Sequence, residues 1–523
     1  MPEAANRPTP PAGFRIRLDP RTQIWGSGRV LVGGSPWRIS RLSASAQSFV
    51  HRLSARGSRG LELASAMDRQ VARILLDRGF AMPSAPPRTT SSPARVDIET
   101  VIPVLDDPTR LDRLLDSLAA NGVHVVDDGS RDPQAIAAVA AVHGAAVHRL
   151  QANVGPAAAR NAGIARCSAD LIACIDADCV ADPDWAQRLS HHFDDPMVAA
   201  VTPRIVPLGG HHTLIGRYLS TRSSLDMGRD PEVARPGARL GFVPSAALVL
   251  RRSSIEGPPF HGIAFHASLR LGEDVDLTWR LAAAGWLVRY DPSVMVQHAS
   301  RSTLRAWLTR TYEYGTSAPT LHHRHPGALA PARVSAWNLA TMASLVAGQP
   351  WLAAGIMGTA TALLWRRISN LPEAPTIAAR TVSQGLLADA ASVGHLLRRE
   401  WWPIGALALV ASPRSKWARA AAATMLTPIA LEWIRQRPPI DPIRYVGLRL
   451  LDDAAYGTGV IAASARSRDL GPLTAHVRIP GIGQVQSWQR RVLRHGHRLI
   501  GKSPSPSRSR PLSPGNRSDH DAG

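Results

Sequence analysis

Val125-Val-Asp127-Asp128-Gly129-Ser130 sets two acids and a turn directly behind a short apolar run. Aliphatic, β-branched residues closed by Asp and Gly read as a strand running into a turn. Comparable runs lie at residues 96–104, 123–126, 145–150, 171–175, 198–205, 242–250 and 294–297. Between the first two, Leu111, Leu114, Leu115 and Leu118 have the spacing of a helix face. This alternation predicts an α/β layer on a mostly parallel sheet. Ligands of such sheets gather outside the carboxyl ends of the strands, so Asp127 and Asp128 fall beside a crevice. A carboxylate there can accept the imide N–H of a uracil, although Asp-Asp-Gly is equally an ordinary turn.

Three further segments place chemistry at the same edge. Asn153-Val-Gly155-Pro-Ala-Ala-Ala-Arg160-Asn161-Ala-Gly163 reads as a loop entering a helix. Gly155 permits close backbone approach, the helix N-terminus favours anionic groups, and Arg160 can meet a carboxylate or a diphosphate. A plain helix start, with Asn153 as cap and Arg160 in solvent, accounts for the same residues. Leu171-Ile-Ala-Cys-Ile175-Asp176-Ala177-Asp178 ends an apolar run in Asp-x-Asp. Alternate residues of an extended chain share a side, so both carboxylates can address one hard divalent cation. Such a cation bridges nucleotide phosphates and neutralises a departing diphosphate. Gly272-Glu273-Asp274-Val-Asp276-Leu277 opens an apolar helix with three acids, one of which can act as general base. First-turn acids also serve simply as dipole partners, a reading that suits Asp276. His298, behind the last apolar run, is either a metal ligand or a polar strand end.

Composition narrows the class. The 523 residues carry 61 Lys+Arg against 40 Asp+Glu, a formal charge of +21, which on its own suggests a nucleic-acid binder. Only Lys416 and Lys502 are lysine, and the rest of the surplus is arginine spread along an Ala-rich chain. None of the recognised DNA-reading motifs is evident, so no nucleic-acid partner is expected. Cys167, Cys174 and Cys179 sit at no zinc-site spacing and form no disulfide framework, which fits a reducing compartment. The polar start of the chain shows no secretory signal.

Composition also divides the chain. Residues 13–82 read as a small α+β unit with short strands, the turn Gly33-Gly34-Ser35-Pro36 and a helix carrying Val71, Ile74 and Leu75. A Pro/Ser/Thr-rich linker follows at 83–95, and the α/β domain occupies 96–332. Residues 333–460 form an apolar, Trp-rich region, and 461–523 a basic, Ser/Pro-rich tail expected to be largely disordered. Within the apolar region, Val334 to Trp365 is uncharged throughout and broken only at Gly348-Gln349-Pro350. A kinked membrane span, a re-entrant hairpin and a buried helical pair are all compatible with it.

The order of these elements resembles the family 2 glycosyltransferases of GT-A fold, and within them the glycosyltransferases of the mycofactocin system. Asn153 to Asn161, Phe242-Val-Pro-Ser-Ala-Ala-Leu-Val-Leu250, Leu271-Gly-Glu-Asp274, Tyr314-Gly-Thr-Ser and Arg324-His-Pro-Gly327 carry the resemblance. It implies a UDP-sugar donor, most naturally UDP-glucose, bound around Pro103, Asp127, Asp128, Asn153, Gly155, Arg160 and Asp176. It implies Mn²⁺ or Mg²⁺ at Asp176, Asp178 and His298, and an inverting displacement with Asp274 as base and Glu273 beside it. The acceptor would be a peptide-derived redox cofactor; a lipid or cell-wall glycan is the alternative. The N-terminal unit looks like the winged-helix-like peptide chaperones of modified-peptide pathways, which implies a precursor peptide as a further partner. With membrane lipid as a partner of the Trp-rich region, the expected location is the cytoplasmic face of the plasma membrane. The chain departs from the family pattern at Asp97 and Glu99, at His261-Gly-Ile-Ala-Phe265-His266, and in lacking Gln-x-x-Arg-Trp, which argues against a processive polymerase.

Overall fold

The structure, a computed structural model, describes residues 7–84, 96–119, 122–209, 212–299 and 303–479. Most of the expected linker, and the expected tail from residue 480 onward, lie outside the described residues.

The N-terminal unit runs β1 (Arg15–Leu18), β2 (Gln23–Trp25), β3 (Val30–Gly33), β4 (Arg38–Arg41), α1 (Ala44–Arg56), β5 (Leu61–Glu62), α2 (Ala66–Arg78) and β6 (Ala81–Pro83). β1 sits between β5 and β6 in one antiparallel sheet, and β3 between β2 and β4 in another. A reciprocal Ser65–Asp68 capping box starts α2 and a left-handed Gly79 ends it. The unit is fastened to the rest of the chain by buried charge. Arg73 donates to Asp195 at 2.7 Å, Arg289 approaches the other oxygen of Asp195 at 3.3 Å, and all three residues are buried. Removing one member of such a group strands the remaining charge, which makes the contact selective for this docking.

Next come β7 (Ile98–Val104), α3 (Pro108–Ser117), β8 (Val123–Asp127), α4 (Pro133–Val142), β9 (Ala146–Arg149), α5 (Pro156–Ile164) and β10 (Leu171–Ile175). They are followed by β11 (Cys179–Ala181), α6 (Trp185–Ser190), β12 (Val198–Leu208), α7 (Leu214–Arg222), β13 (Glu232–Ala234), β14 (Ala247–Arg251), α8 (Ser253–Glu256), α9 (Glu273–Ala283) and β15 (Leu287–Ala299). The strand order is β11-β15-β12-β14-β10-β7-β8-β9, with β13 on β15. The expectation of a mostly parallel sheet is corrected here, because the sheet is mixed. β10, β7, β8 and β9 run parallel, each separated from the next in sequence by a crossover helix, as parallel pairing requires. β14 pairs antiparallel with both β10 and β12, and β11 and β13 run antiparallel to β15. Both faces of the central strands are buried, Ile102, Val125 and Ala173 on one side and Val101, Val126 and Ile172 on the other. α5 packs closely on the second face, where a Cβ on Gly163 would stand 2.3 Å from the Val101 side chain.

The remaining elements are α10 (Leu304–Thr316), α11 (Ala318–Arg324), β16 (Arg333–Ser335), α12 (Ala336–Ala347), α13 (Pro350–Arg367), α14 (Ala374–Arg398), α15 (Trp402–Ala411), α16 (Lys416–Gln436), α17 (Pro442–Ser467) and β17 (His476–Arg478). The uncharged run is cut into two helices, because Gly348 takes a left-handed φ of 85° and Pro350 starts a new helix. Among the described residues no helix is long and apolar enough to cross a membrane, and the run forms two helices, α12 and α13.

α17 returns to the transferase layer and packs on α10 through glycines. A Cβ on Gly459 would lie 2.0 Å from the Tyr312 carbonyl oxygen, and one on Gly315 2.1 Å from that of Tyr456. Gly459→Ala is therefore expected to force the helices apart at a cost of about 1–3 kcal/mol, seen as a lower denaturation midpoint together with reduced activity. Unchanged stability would show that the two helices are not held at this distance.

Candidate active site

A cavity of about 1240 Å³ opens at the carboxyl ends of β7, β8 and β10. Pro103, Asp128, Asn153, Gly155, Arg160 and Asp176 border it, as do Asp178, Glu273, Asp274 and His298. Of the residues assigned from sequence to donor, metal or base, the cavity collects all but one. The exception is Asp127. It is 1% exposed and absent from the cavity wall, and its Oδ1 accepts the Ser130 N–H to close the turn, so its assignment to donor binding is corrected to a structural one. Asp128 faces the cavity with its oxygens accepting the backbone N–H groups of Val154 and Gly155. It fixes the shape of the Asn-Val-Gly loop, and each oxygen retains a second lone pair for a ligand.

Arg160 reaches no open diphosphate site in this arrangement. It is 2% exposed and donates to Asp176 and, at 3.1 Å, to Glu273. Burial works against its charge, but the two carboxylates outweigh that and raise its pKa. Burial, with Asp178 adding repulsion, holds the Asp176 carboxyl above its ordinary range despite Arg160. Antiparallel pairing of β11 with β15 sets His298 opposite Cys179, and its Nε2 lies 3.2 Å from Asp178 Oδ1. Donor atoms of Asp176, Asp178 and His298 all fall within 4.8 Å of one another. Two carboxylates and one imidazole, partly open to the cavity, are a donor set suited to Mn²⁺ and acceptable to Mg²⁺.

α9 begins at Gly272, whose φ of 79° turns the chain so that Glu273 and Asp274 enter the cavity. Glu273 accepts from Ser245 Oγ at 3.0 Å as well as from Arg160, which makes it a positioning residue. Among the described residues Asp274 has no ion pair. Burial pushes its carboxyl up to about 7, and Glu273 adds to the shift, although the nearby Arg160 charge acts to lower its pKa. Asp276 is fully buried on the side away from the cavity and accepts from Arg280, Arg324 and His325 at 2.7–2.8 Å. Burial alone would raise its pKa, but the hydrogen bonds from His325, Arg324 and Arg280 drive it far below the usual range. The Arg324-His-Pro-Gly motif thus clamps the start of α9 through Asp276. Sequence reading missed this role, as it missed Ser245, although both motifs were visible.

Other expectations resolve locally. Cys167, Cys174 and Cys179 are buried free thiols, and burial pushes the first two up to about 12. Glu99, odd in an apolar strand, accepts the N–H groups of Ser168 and Ala169 and bonds His124, tying the end of the α5 connection to the sheet.

A mixed sheet with a nucleotide-sized crevice at its carboxyl edge, holding an Asp-x-Asp and a helix-borne acid, defines a GT-A-like sugar transferase. Residues 100–257 match the family model described as glycosyl transferase family 2. Over 481 residues the chain is 35% identical to the pre-mycofactocin glycosyltransferase of Mycobacterium tuberculosis (strain ATCC 25618 / H37Rv), covering 90% of this chain and 98% of that one. It is 34% identical over 170 residues to succinoglycan biosynthesis protein ExoU of Rhizobium meliloti (strain 1021), 31% of this chain and 49% of that one. Among solved structures, glucosyl-3-phosphoglycerate synthase of Mycobacterium tuberculosis aligns with a TM-score of 0.31 at 21% identity, over 44% of this chain and 80% of that one. The chain belongs to the family 2 glycosyltransferases, in the group of the pre-mycofactocin glycosyltransferase.

With Asp274 as the proton acceptor, transfer measured before donor saturation should fall as pH drops through about 7, because only the ionised carboxylate can take a proton. Asp274→Asn is expected to lower the rate by about 10²–10⁴ and to abolish that limb of the profile. A profile flat from pH 5 to 8 in the unaltered enzyme would remove Asp274 from this role.

Proposed function

We propose that the enzyme moves a sugar, most naturally glucose, from a UDP-sugar to a hydroxyl of a peptide-derived acceptor of the pre-mycofactocin type by one inverting displacement. The observation that carries the reading is the meeting, in one cavity, of the Asp176, Asp178 and His298 donor set with an Asp274 carboxyl that titrates near neutrality. Identity to the pre-mycofactocin glycosyltransferase across nearly its whole length supports the choice of acceptor. Asp274 takes the proton of the attacking hydroxyl as that oxygen meets the anomeric carbon, while Glu273, fixed by Arg160 and Ser245, keeps the start of α9 in place. Asp176, Asp178 and His298 would hold a divalent cation, which supplies charge neutralisation to the departing diphosphate. The Asn153 to Gly155 loop, pinned by Asp128, shapes the donor end of the crevice. In this reading the N-terminal unit receives precursor peptide and keeps the acceptor near the cavity.

For location we propose attachment to the surface of the cytoplasmic leaflet without crossing it. Trp351 is 88% exposed, Leu407 70% and Val410 75%, on α13 and α15. Exposed apolar and Trp side chains of this kind can enter the headgroup boundary, and arginines beside them favour anionic lipid.

UDP release should appear with one UDP-sugar of a panel, require Mn²⁺ or Mg²⁺, and rise when the peptide-derived acceptor is added. Asp178→Ala retaining full metal-dependent transfer would refute the site. Sedimentation with vesicles containing anionic lipid should carry the enzyme down, and Trp351→Glu combined with Leu407→Glu should release it. Equal sedimentation of both forms would end the attachment proposal.

A further inference from the structure

The strands whose carboxyl ends frame the crevice hold a second group of ligating side chains near their starts. Glu99 is the second residue of β7, His124 is the second of β8, and Cys167 lies three residues beyond the end of α5. Alternation along the two strands puts Glu99 with Val101 and His124 with Val126, on the face that α5 covers and that buries Cys167. A carboxylate oxygen, an imidazole nitrogen and the thiol sulfur of these residues lie within 4.8 Å of one another. Glu99, His124 and Cys167 are not among the residues that border the catalytic cavity. They come from three separate segments, so the group leaves no zinc-site spacing in the sequence.

Each of the three is held as a metal ligand needs to be. Glu99 Oε2 accepts the N–H groups of Ser168 and Ala169, which fixes the carboxylate and leaves Oε1 facing His124 Nε2 at 3.2 Å. Burial acts to raise the Glu99 pKa, but these hydrogen bonds and His124 hold it below the ordinary value, so the group is ionised. On the far side of the ring, His124 Nδ1 meets His148 Nε2 at 3.1 Å. With a cation on Nε2, Nδ1 carries the proton and donates it to His148, the kind of outer partner that ordinarily orients a ligating imidazole. Burial, with Glu99 adding repulsion, pushes the Cys167 thiol up to about 12, which makes it a poor nucleophile. A coordinated cation removes that proton to solvent, because a metal-bound thiol is deprotonated outright. An ionised carboxylate and a thiolate then match the charge of one divalent ion.

We propose that Glu99, His124 and Cys167 form a second metal site, selective for zinc-class ions, with His148 as the residue that positions His124. Sulfur and nitrogen donors set it apart from the oxygen-rich group of Asp176, Asp178 and His298, which suits Mn²⁺ or Mg²⁺. The ion joins the chain just beyond α5 to the starts of β7 and β8. Because α5 carries Arg160, the site acts on the seating of that helix and not on the chemistry in the cavity.

Cobalt distinguishes this site from the catalytic one, since a thiolate ligand gives an intense near-ultraviolet sulfur-to-cobalt band and the Asp176, Asp178 and His298 group contains no sulfur. The full chain, stripped of metal by a chelator and kept reduced, is titrated with Co²⁺ and then with Zn²⁺. The band should grow to saturation in the unaltered protein and in Asp178→Ala, be discharged by Zn²⁺, and be missing in Cys167→Ser. His148→Ala should weaken cobalt binding by about 10–100-fold, the scale for removing a partner that orients a ligand. Zn²⁺ should raise the denaturation midpoint of Asp178→Ala but not of Asp178→Ala combined with Cys167→Ser. UDP affinity in the presence of Mn²⁺ should stay within about twofold in Cys167→Ser and so report an intact fold. If that variant fails to bind UDP, His148→Ala decides by its loss of cobalt affinity. The proposal is overturned if no band forms, if the band survives in Cys167→Ser or disappears in Asp178→Ala, if His148→Ala binds cobalt as tightly, or if Zn²⁺ stabilises both backgrounds equally.

Discussion

One buried guanidinium holds the site together. Arg160, carried on α5, joins Asp176 at the end of β10 to Glu273 at the start of α9, segments 97 positions apart in sequence. Without that cation, Asp176, Asp178, Glu273 and Asp274 would repel one another in a place with little water. With it, two acids are matched and fixed, and the neighbouring Asp274 is left outside the pairing with its carboxyl near 7. The close approach of α5 to the sheet at Gly163 lets a side chain from this helix reach both acids. Arg160 thus neutralises Asp176 and Glu273, while burial and Glu273 raise Asp274 against the pull of the same cation.

Much of this was legible in the chain and some was not, for definable reasons. Apolar runs ending in Asp marked β8 and β10, and the Asp-x-Asp and Gly-Glu-Asp segments marked residues that do reach one cavity. Period and composition do not encode strand direction, so the antiparallel insertion of β14 escaped. Nor do they say which of two adjacent acids turns inward: Asp127 closes a turn while Asp128 faces the crevice, and Asp276 is buried away from it. An uncharged run reports apolarity but not length of helix, and a left-handed glycine before Pro350 divides it.

The helical part is more than an annex to the transferase. Arg398, Arg449 and Asp453 form a buried ion group joining α14 to α17. α17 then lies on α10 at backbone distance and supplies Tyr456 to the cavity. Burying charge in this way is rarely the cheapest route to stability, but it rejects packings in which the charges go unpaired. Accuracy in that packing matters here, since a helix displaced by one side chain would change the cavity wall that Tyr456 lines.

Arginine has a use inside this chain that the net charge does not register. Arg73, Arg160, Arg289, Arg398 and Arg449 are all buried to 7% exposure or less, each beside a carboxylate. Arg160 serves two acids at once, and so does Arg239, which links Asp19 of the N-terminal unit to Glu232 of the sheet. A planar fork with five donors can bridge two carboxylates in fixed directions, whereas a lysine ammonium offers a point charge that desolvates poorly. A chain that builds both its docking surface and its active site on bridged acids is thereby biased toward arginine wherever such a bridge is buried. These arginines are internal couplings matched by the acids they touch, so they add nothing to the net surplus of +21, which lies in arginines elsewhere in the chain.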